Sequence, residues 1–396
     1  MKISIYSGNI PSSTFIERLI NGIASEKFKI LIHGQLTKNV KYNNSNIQVV
    51  GYNNILSKLI STIKYGLLLF VLKPVDFFKT VKVCFQKGNV KYFLHNWSKI
   101  SPVVWHKPDI FHIQWAKSLS YWFFLKPVFG TKILLSLRGT HINVSPLINN
   151  DLYKTYKDFF PHVDQFHAVS KAISKEVQEY CSPENSIELI YSGVDLNNLK
   201  KYEKENYVIG NPISVLSVGR WHWKKGYNYS IDAVANLHFK NLPIKYEIIA
   251  HGDIPEEILF QVKESGLEEI ISFHENVNQD FIFKAMQNAD CLLLPSVEEG
   301  IANVVLEAMA IGLPVISTKC GGMAEIIKNR KNGFLVDSRD VIGICDSIKE
   351  LMSTEEDKIK IIIENAKNTI KTNHSLEDYI FNFKELYKKI INNEKK

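Results

Sequence analysis

Short apolar runs recur along the chain, each closed by a turn and followed by residues at helical spacing. Ile3-Ser4-Ile5-Tyr6, Phe28 to His33, Ile47 to Val50, Asp109 to Gln114, Lys132 to Leu137 and Phe166 to Ser170 read as strands in the first half. Ile213 to Val218, Tyr246 to Ala250, Leu292 to Leu294 and Pro314 to Thr318 do so in the second, and Asn332 to Val336 reads as an edge hairpin or strand. Such runs lack the in–out alternation of a half-wetted sheet, which fits parallel strands buried on both faces. Between them, Phe15, Leu19 and Ile23 share one helical face, as do Val305, Leu306 and Met309. Strand–turn–helix repeated in this way predicts an α/β fold, with a Rossmann-like opening and a second α/β unit from Pro212 onward.

The polar stretch Asn197 to Asn211 reads as the joint. Residues 1–200 then form the first domain and 201–375 the second. Two amphipathic helices close the chain, about 355–371 and 376–391, with 392–396 as a frayed tail.

One stretch departs from this rhythm. Residues 55–91 carry Lys58, Lys64, Lys73, Lys79, Lys82, Lys87 and Lys91 against a single acid, Asp76. The apolar run from Tyr65 to Leu72 is short of the ~20 residues that span a bilayer. Two readings stand: a buried helix with Lys on its wet side, or a basic helix lying in a membrane interface.

Composition excludes disordered and fibrous classes: hydrophobic residues make up 45% and charged residues 22%. The net charge is +7, with an isoelectric point near 8.8. This balance favours anionic partners. The basic charge is mostly Lys, without an Arg-rich aromatic patch, so nucleic acid is not expected as a partner. Cys84, Cys181, Cys291, Cys320 and Cys345 are scattered, with no C-x-x-C spacing, which argues against a zinc site and fits a reducing cytoplasm. The opening MKISIYSGNIP lacks the apolar core of a signal peptide.

The richest chemistry lies at Cys291 to Glu307, CLLLPSVEEGIANVVLE, running on into AMAIGLPVI. An apolar strand meets Pro295-Ser296, then the loop Val297-Glu298-Glu299-Gly300, then a helix ended by Gly312. Carboxylates thus stand at the carboxyl end of a strand, where open α/β sheets bind ligands. Upstream, Gly219-Arg220 follows another strand, and Lys225-Gly226 comes shortly after. Near the N-terminus, Gly8 follows the first strand without a G-x-G-x-x-G, so no dinucleotide cofactor is expected. Gly8 reads either as a backbone turn or as a close approach to a ligand.

Glu299-x7-Glu307, framed by Leu294-Pro295-Ser296 and Glu307-Ala308-Met309-Ala310, resembles the signature of the retaining family 4 glycosyltransferases of the GT-B fold. Gly219-Arg220-x4-Lys225-Gly226, Gly193-Val194-Asp195 and Gly321-Gly322-Met323-Ala324-Glu325 resemble other parts of that family, densely from about 166 to 337. The resemblance implies two Rossmann-like domains facing a cleft, a nucleotide-sugar donor on the second, and a saccharide or lipid-linked acceptor on the first. It implies that Arg220 and Lys225 bind the diphosphate and Glu307 the ribose. Glu299 would orient the donor sugar with the amides of Gly300, Ile301, Ala302, Asn303 and Val304. The 376–396 helix would pack back on the first domain.

Where the family has His-Gly-x-Asp, this chain has Arg138-Gly139-Thr140-His141. Either Arg138 holds an anionic group or His141 supplies hydrogen bonds there. The family implies no metal or other cofactor. A role in bacterial surface-polysaccharide assembly follows, in the cytoplasm or on the inner face of its membrane. Two other readings remain: a non-catalytic partner of another glycosyltransferase, and a sugar-nucleotide epimerase on the same fold.

Overall fold

The structure, a computed structural model, describes residues 1–86, 90–181 and 186–392. The chain forms two units. The first holds residues 1–169, 173–190 and 379 onward, and the second holds 170–172 and 191–378.

The first unit is built on β1 (Lys2–Ile10), β2 (Lys29–Leu36), β3 (Ile47–Tyr52), β4 (Ile110–Ile113), β5 (Lys132–Leu137), β6 (Gln165–Ala168) and β7 (Ile187–Leu189). All are parallel, in the order β3-β2-β1-β4-β5-β6-β7. The second unit holds β8 (Ile213–Arg220), β9 (Ile244–His251), β10 (Ile271–Glu275), β11 (Cys291–Leu294), β12 (Val315–Thr318) and β13 (Phe334–Val336). Its order is β10-β9-β8-β11-β12-β13, again all parallel. Helices flank both sheets, so every residue of β4, β6, β11 and β12 is buried, the polar His112, Gln165, His167, Ser317 and Thr318 among them. In each sheet the strand order reverses once, between β1 and β4 and between β8 and β11. A crevice opens at such a reversal, at the carboxyl ends of the strands.

Two expectations change, and two open alternatives are decided. Ser7-Gly8-Asn9 is not a turn after β1. β2 runs on to Leu36 and keeps pairing Gly8, Asn9 and Ile10, and the register slip after Tyr6 is absorbed at Gly8, whose φ is +91°. Neighbouring glycines allow this closeness, since a Cβ on Gly34 would stand 2.7 Å from the Gly8 carbonyl oxygen.

The Asn197–Asn211 stretch is not a free joint. It coils through the helix Leu196–Leu199, buries Leu199, Tyr202 and Tyr207, and bonds Tyr207 Oη to the Asp290 carbonyl at 2.6 Å. The division between units therefore falls at 190/191 rather than 200/201. Of the two readings of the 332–336 stretch, the strand holds: Phe334–Val336 pairs in parallel at the sheet edge.

The 55–91 stretch folds as the helices Ile55–Leu72 and Pro74–Gln86, with a third starting at Val90, and much of its apolar surface is exposed rather than buried. Lys87, the side chain of Lys91 and the 393–396 tail lie outside the described residues.

The closing helix Leu376–Asn392 buries Tyr379, Phe383, Leu386, Tyr387 and Ile390. From Tyr379 onward it belongs to the first unit. Tyr387 Oη meets His112 Nδ1 at 2.8 Å, His112 Nε2 meets Ser136 Oγ at 2.8 Å, and Ser136 Oγ meets His167 Nδ1 at 2.8 Å. His167 Nε2 completes the chain on the Ile190 carbonyl at 3.0 Å. A dry polar network is tolerable only when its members are partnered, and this one ties the last helix to β4, β5 and β6.

Burial lowers the pKa of His112 far below the usual value, and that of His167 to about 3. The unfolded chain protonates both near pH 6.5, whereas the fold refuses the proton. Their stabilisation is therefore full above pH 6.5 and lost as pH falls below it, by about 1.4 kcal/mol per pH unit for each histidine. Urea unfolding at pH 7, 6 and 5 should show this decline, and His167→Gln should flatten it.

Candidate functional site

At the β8/β11 reversal the carboxyl end of each strand leads into a loop. After β8, residues Trp223–Lys225 make one tight turn ended by Gly226 at φ +66°, where a Cβ would strike the Pro295 carbonyl oxygen at 2.2 Å. Val297 N donates to the Lys224 carbonyl at 2.6 Å, so the β8 and β11 loops are stitched backbone to backbone.

This stitching sets Lys225 Nζ against Glu299 Oε1 in a salt bridge with both side chains largely buried. Ser296 Oγ donates to the same carboxylate oxygen at 3.2 Å. Arg220, exposed at the end of β8, and buried Lys224 belong to the same electrostatic cluster. Burial lowers the Lys224 pKa, and Glu299 opposes that shift. His222 is lowered by burial and by the neighbouring Lys224, Arg220 and Lys225. Three cations thus outnumber Glu299 and Glu298, which leaves a local appetite for a polyanion.

Gly321 and Gly322 press on the Glu299 loop from below. Gly322 N donates to the Gly300 carbonyl at 2.8 Å. A Cβ on Gly321, whose φ is +48°, would fall 1.6 Å from the Glu299 carbonyl oxygen. The loop then enters the helix Asn303–Ile311. Among the described residues no acceptor takes the amides of Gly300, Ile301, Ala302, Asn303 or Val304. These amides, at a helix N-terminus, suit an anion or hydroxyl oxygens. Glu307 sits half-buried one turn further along the same helix.

The second unit therefore gathers Arg220, Lys225, Glu299 and the Gly300–Val304 amides, with Glu307 on the adjoining helix. The sequence reading missed Lys224. Its only signal is a second Lys inside the Arg220–Lys225 spacing, and that does not show that both turn inward. It also gave no role to Glu325, whose carboxylate receives Lys171 N and Ala172 N at 2.9 Å each and the Tyr191 hydroxyl at 2.9 Å.

Gly8, Arg138 and His141 collect in the first unit, at its own β1/β4 reversal. Trp115 Nε1 donates to the Ser7 carbonyl at 3.1 Å, and the Trp115 ring lies 5.2 Å from that of His141. Arg138 is buried at the end of β5. Its guanidinium lies 4.5 Å over the Phe15 ring and donates to Gln114 Oε1 at 3.2 Å. No carboxylate among the described residues pairs with it, and burial lowers its pKa. Among the described residues no group of three or more His, Cys, Asp and Glu side chains is placed to hold a metal ion.

Two parallel units of this kind define the GT-B class of glycosyltransferase folds. The family model described as Glycosyltransferase Family 4 matches residues 78–198, and that described as Glycosyl transferases group 1 matches 200–369. The chain belongs to these family 4, group 1 glycosyltransferases.

It is 24% identical over 257 residues to a putative colanic acid biosynthesis glycosyltransferase, WcaL, of Escherichia coli, covering 63% of this chain and 62% of that protein. It is 26% identical over 232 residues to an N-acetylgalactosamine-N,N'-diacetylbacillosaminyl-diphospho-undecaprenol 4-alpha-N-acetylgalactosaminyltransferase of Campylobacter jejuni, covering 57% of this chain and 60% of that one. The chain thus spans less than two thirds of either relative. A solved structure of Anabaena HepE in complex with UDP and glucose superposes with a TM-score of 0.71 at 18% identity, over 98% of this chain and 99% of that one.

The glycine contacts make a direct prediction. Gly321→Ala should lower the melting temperature well beyond Gly130→Ala, which also has positive φ but meets nothing within 4 Å of the added Cβ. Gly130→Ala carries only the conformational cost of about 1 kcal/mol. Thermal unfolding of the two variants side by side measures the difference.

Proposed function

We propose that this chain transfers a sugar from a nucleotide-sugar donor to a hydroxyl of a saccharide or lipid-linked acceptor in bacterial surface-polysaccharide assembly, with retention of anomeric configuration. The observation that carries the reading is the Lys225–Glu299 pair set among Arg220, Lys224 and five amides without acceptors at the β8/β11 crevice.

A nucleotide sugar leaves as a diphosphate, and charge grows on that group as the glycosidic bond breaks. Arg220, Lys224 and Lys225 would neutralise it, the Arg fork bidentately and the ammonium groups as point charges. Glu307 would take the ribose hydroxyls. Glu299, steadied by Ser296 and Lys225, would accept from the donor sugar's hydroxyls while the Gly300–Val304 amides donate to it. Retention places the incoming hydroxyl on the leaving group's own face. The departing phosphate oxygen then takes the acceptor's proton as the new C–O bond forms. Neither a separate base nor a metal ion is required on this path.

The relatives support the polysaccharide setting, since one is named for colanic acid and another for a diphospho-undecaprenol acceptor. The UDP and glucose bound to HepE favour UDP-sugars as the first donors to try, with a hexose or N-acetylhexosamine as the transferred sugar. The donor side of the reaction belongs in the cytoplasm, where nucleotide sugars are made.

A thermal-shift screen against UDP-, GDP-, ADP- and dTDP-sugars should raise the melting temperature with one base. Arg220→Ala and Lys225→Ala should each abolish that shift, and Glu299→Gln should keep nucleotide binding while losing transfer by at least a hundredfold. No shift with any donor would sink the reading. Turnover of the donor to its epimer in the absence of acceptor would replace it with an epimerase.

A further inference from the structure

The second unit carries a groove that no step of the proposed transfer uses. It measures about 660 Å³, within the ~300–1,000 Å³ of ligand pockets. Trp221, Trp223 and Tyr229 give it aromatic walls, and Glu257, Gln261 and Arg339 give it polar ones. Neither Arg220, Lys225, Glu299 nor the Gly300–Val304 amides line it. The tight turn Trp223–Lys225 serves both places: Trp223 lines the groove, while Lys225 pairs with Glu299.

The aromatic walls are fixed in place. The Trp221 ring lies 5.0 Å from that of Tyr227 and 5.8 Å from that of Phe273, edge to face in both cases. Its Nε1 is buried and has no hydrogen-bond partner, a cost that an oxygen of a ligand would relieve. Trp223 is 59% exposed on the same groove, and Tyr229 is half-buried beside it. Three aromatic side chains gathered on one concavity differ from apolar residues scattered singly over a surface.

The polar walls are set for a ligand without net charge. Glu257, on the first turn of the helix Glu256–Glu264, and Arg339, in the loop after β13, have no ion-pair or hydrogen-bond partner among the described residues. Arg339 also holds a left-handed backbone, φ +66°, which costs a long side chain more than it would glycine. Gln261 is already oriented: its Nε2 donates to the Asn228 carbonyl at 2.9 Å and to Asp232 Oδ1 at 2.7 Å, which leaves its Oε1 to accept. One free cation beside one free carboxylate gives no surplus for a polyanion, unlike the β8/β11 crevice. Oxygens that accept, a guanidinium and an indole N–H that donate, and flat apolar rings together match a ligand with hydroxyls around apolar C–H faces. A neutral saccharide has that chemistry.

We propose that this groove is a second saccharide site, which takes a neutral stretch of the glycan being built and keeps it on the enzyme between transfers. A chain held at one point reacts at another from a raised effective concentration. The inference rests on the glycosyltransferase reading above only for the source of that glycan.

Calorimetry on the full chain with cellohexaose, maltohexaose and chitohexaose, with and without saturating UDP, tests it. At least one hexasaccharide should bind, and equally well in both conditions. Trp223→Ala, Glu257→Gln and Arg339→Ala should each weaken that binding at least fivefold, with the melting temperature and the UDP-induced shift unchanged. Phe239→Ala, which removes an exposed aromatic ring outside the groove, should change nothing.

Binding of none of the three would overturn the proposal. So would a hexasaccharide that UDP displaces, which belongs in the donor crevice, or one that the three variants bind as the wild type does. Tighter binding of decaproline than of any hexasaccharide would overturn it in favour of a peptide groove. Hexasaccharide binding that depends on Trp223, in a chain that shows no nucleotide shift, would uphold this site and sink the donor reading instead.

Discussion

A largely buried Lys225–Glu299 ion pair is the constraint on which the second unit's chemistry depends. Removing two charges from water is expensive, and breaking such a pair from one side strands the other. The pair is tenable because both loops are fixed before the side chains meet. Val297 is bonded to Lys224, Gly226 admits the Pro295 carbonyl, and Gly321 and Gly322 admit the backbone of Glu299 and Gly300. Rigid backbone on both sides of a strand-order reversal is what preorganised electrostatics needs, since donors and charges are then aimed before a ligand arrives.

The first unit solves a different problem. Its interior holds polar groups in number: His112, Ser136, His167, Gln114, Arg138 and Tyr387 are bonded to one another or to backbone. Its surface meanwhile carries the exposed apolar residues of the 55–72 helix. The buried network fixes the closing helix to the sheet.

Much of this was legible in the sequence. Strands buried on both faces announce themselves as apolar runs, and Leu292–Leu294 or Leu134–Leu135 could hardly be read otherwise. The Glu299 loop, Arg220 and Lys225 were legible because spacing along one strand–loop–helix unit is local information. What stayed hidden depends on residues far apart in the chain. β1 continues past Tyr6 because β2 lies alongside it, and the polar Asn197–Asn211 stretch is ordered because Tyr202 and Tyr207 find Asp280 and Asp290. The 55–72 helix looked equally fit for a core or a membrane, since amphipathicity fixes that one face is apolar and not which way it points. The partners of Arg138, Gln114 and the Phe15 ring, were likewise out of reach of a sequence that left its role open against that of His141.

The measurement that bears most directly on the account is amide hydrogen exchange with and without UDP. UDP held at the β8/β11 crevice should slow exchange in two segments of the second unit, 219–227 and 296–305, with the first unit's strands unchanged. Protection centred on β1 to β3, with 296–305 exchanging as in the free protein, would contradict it.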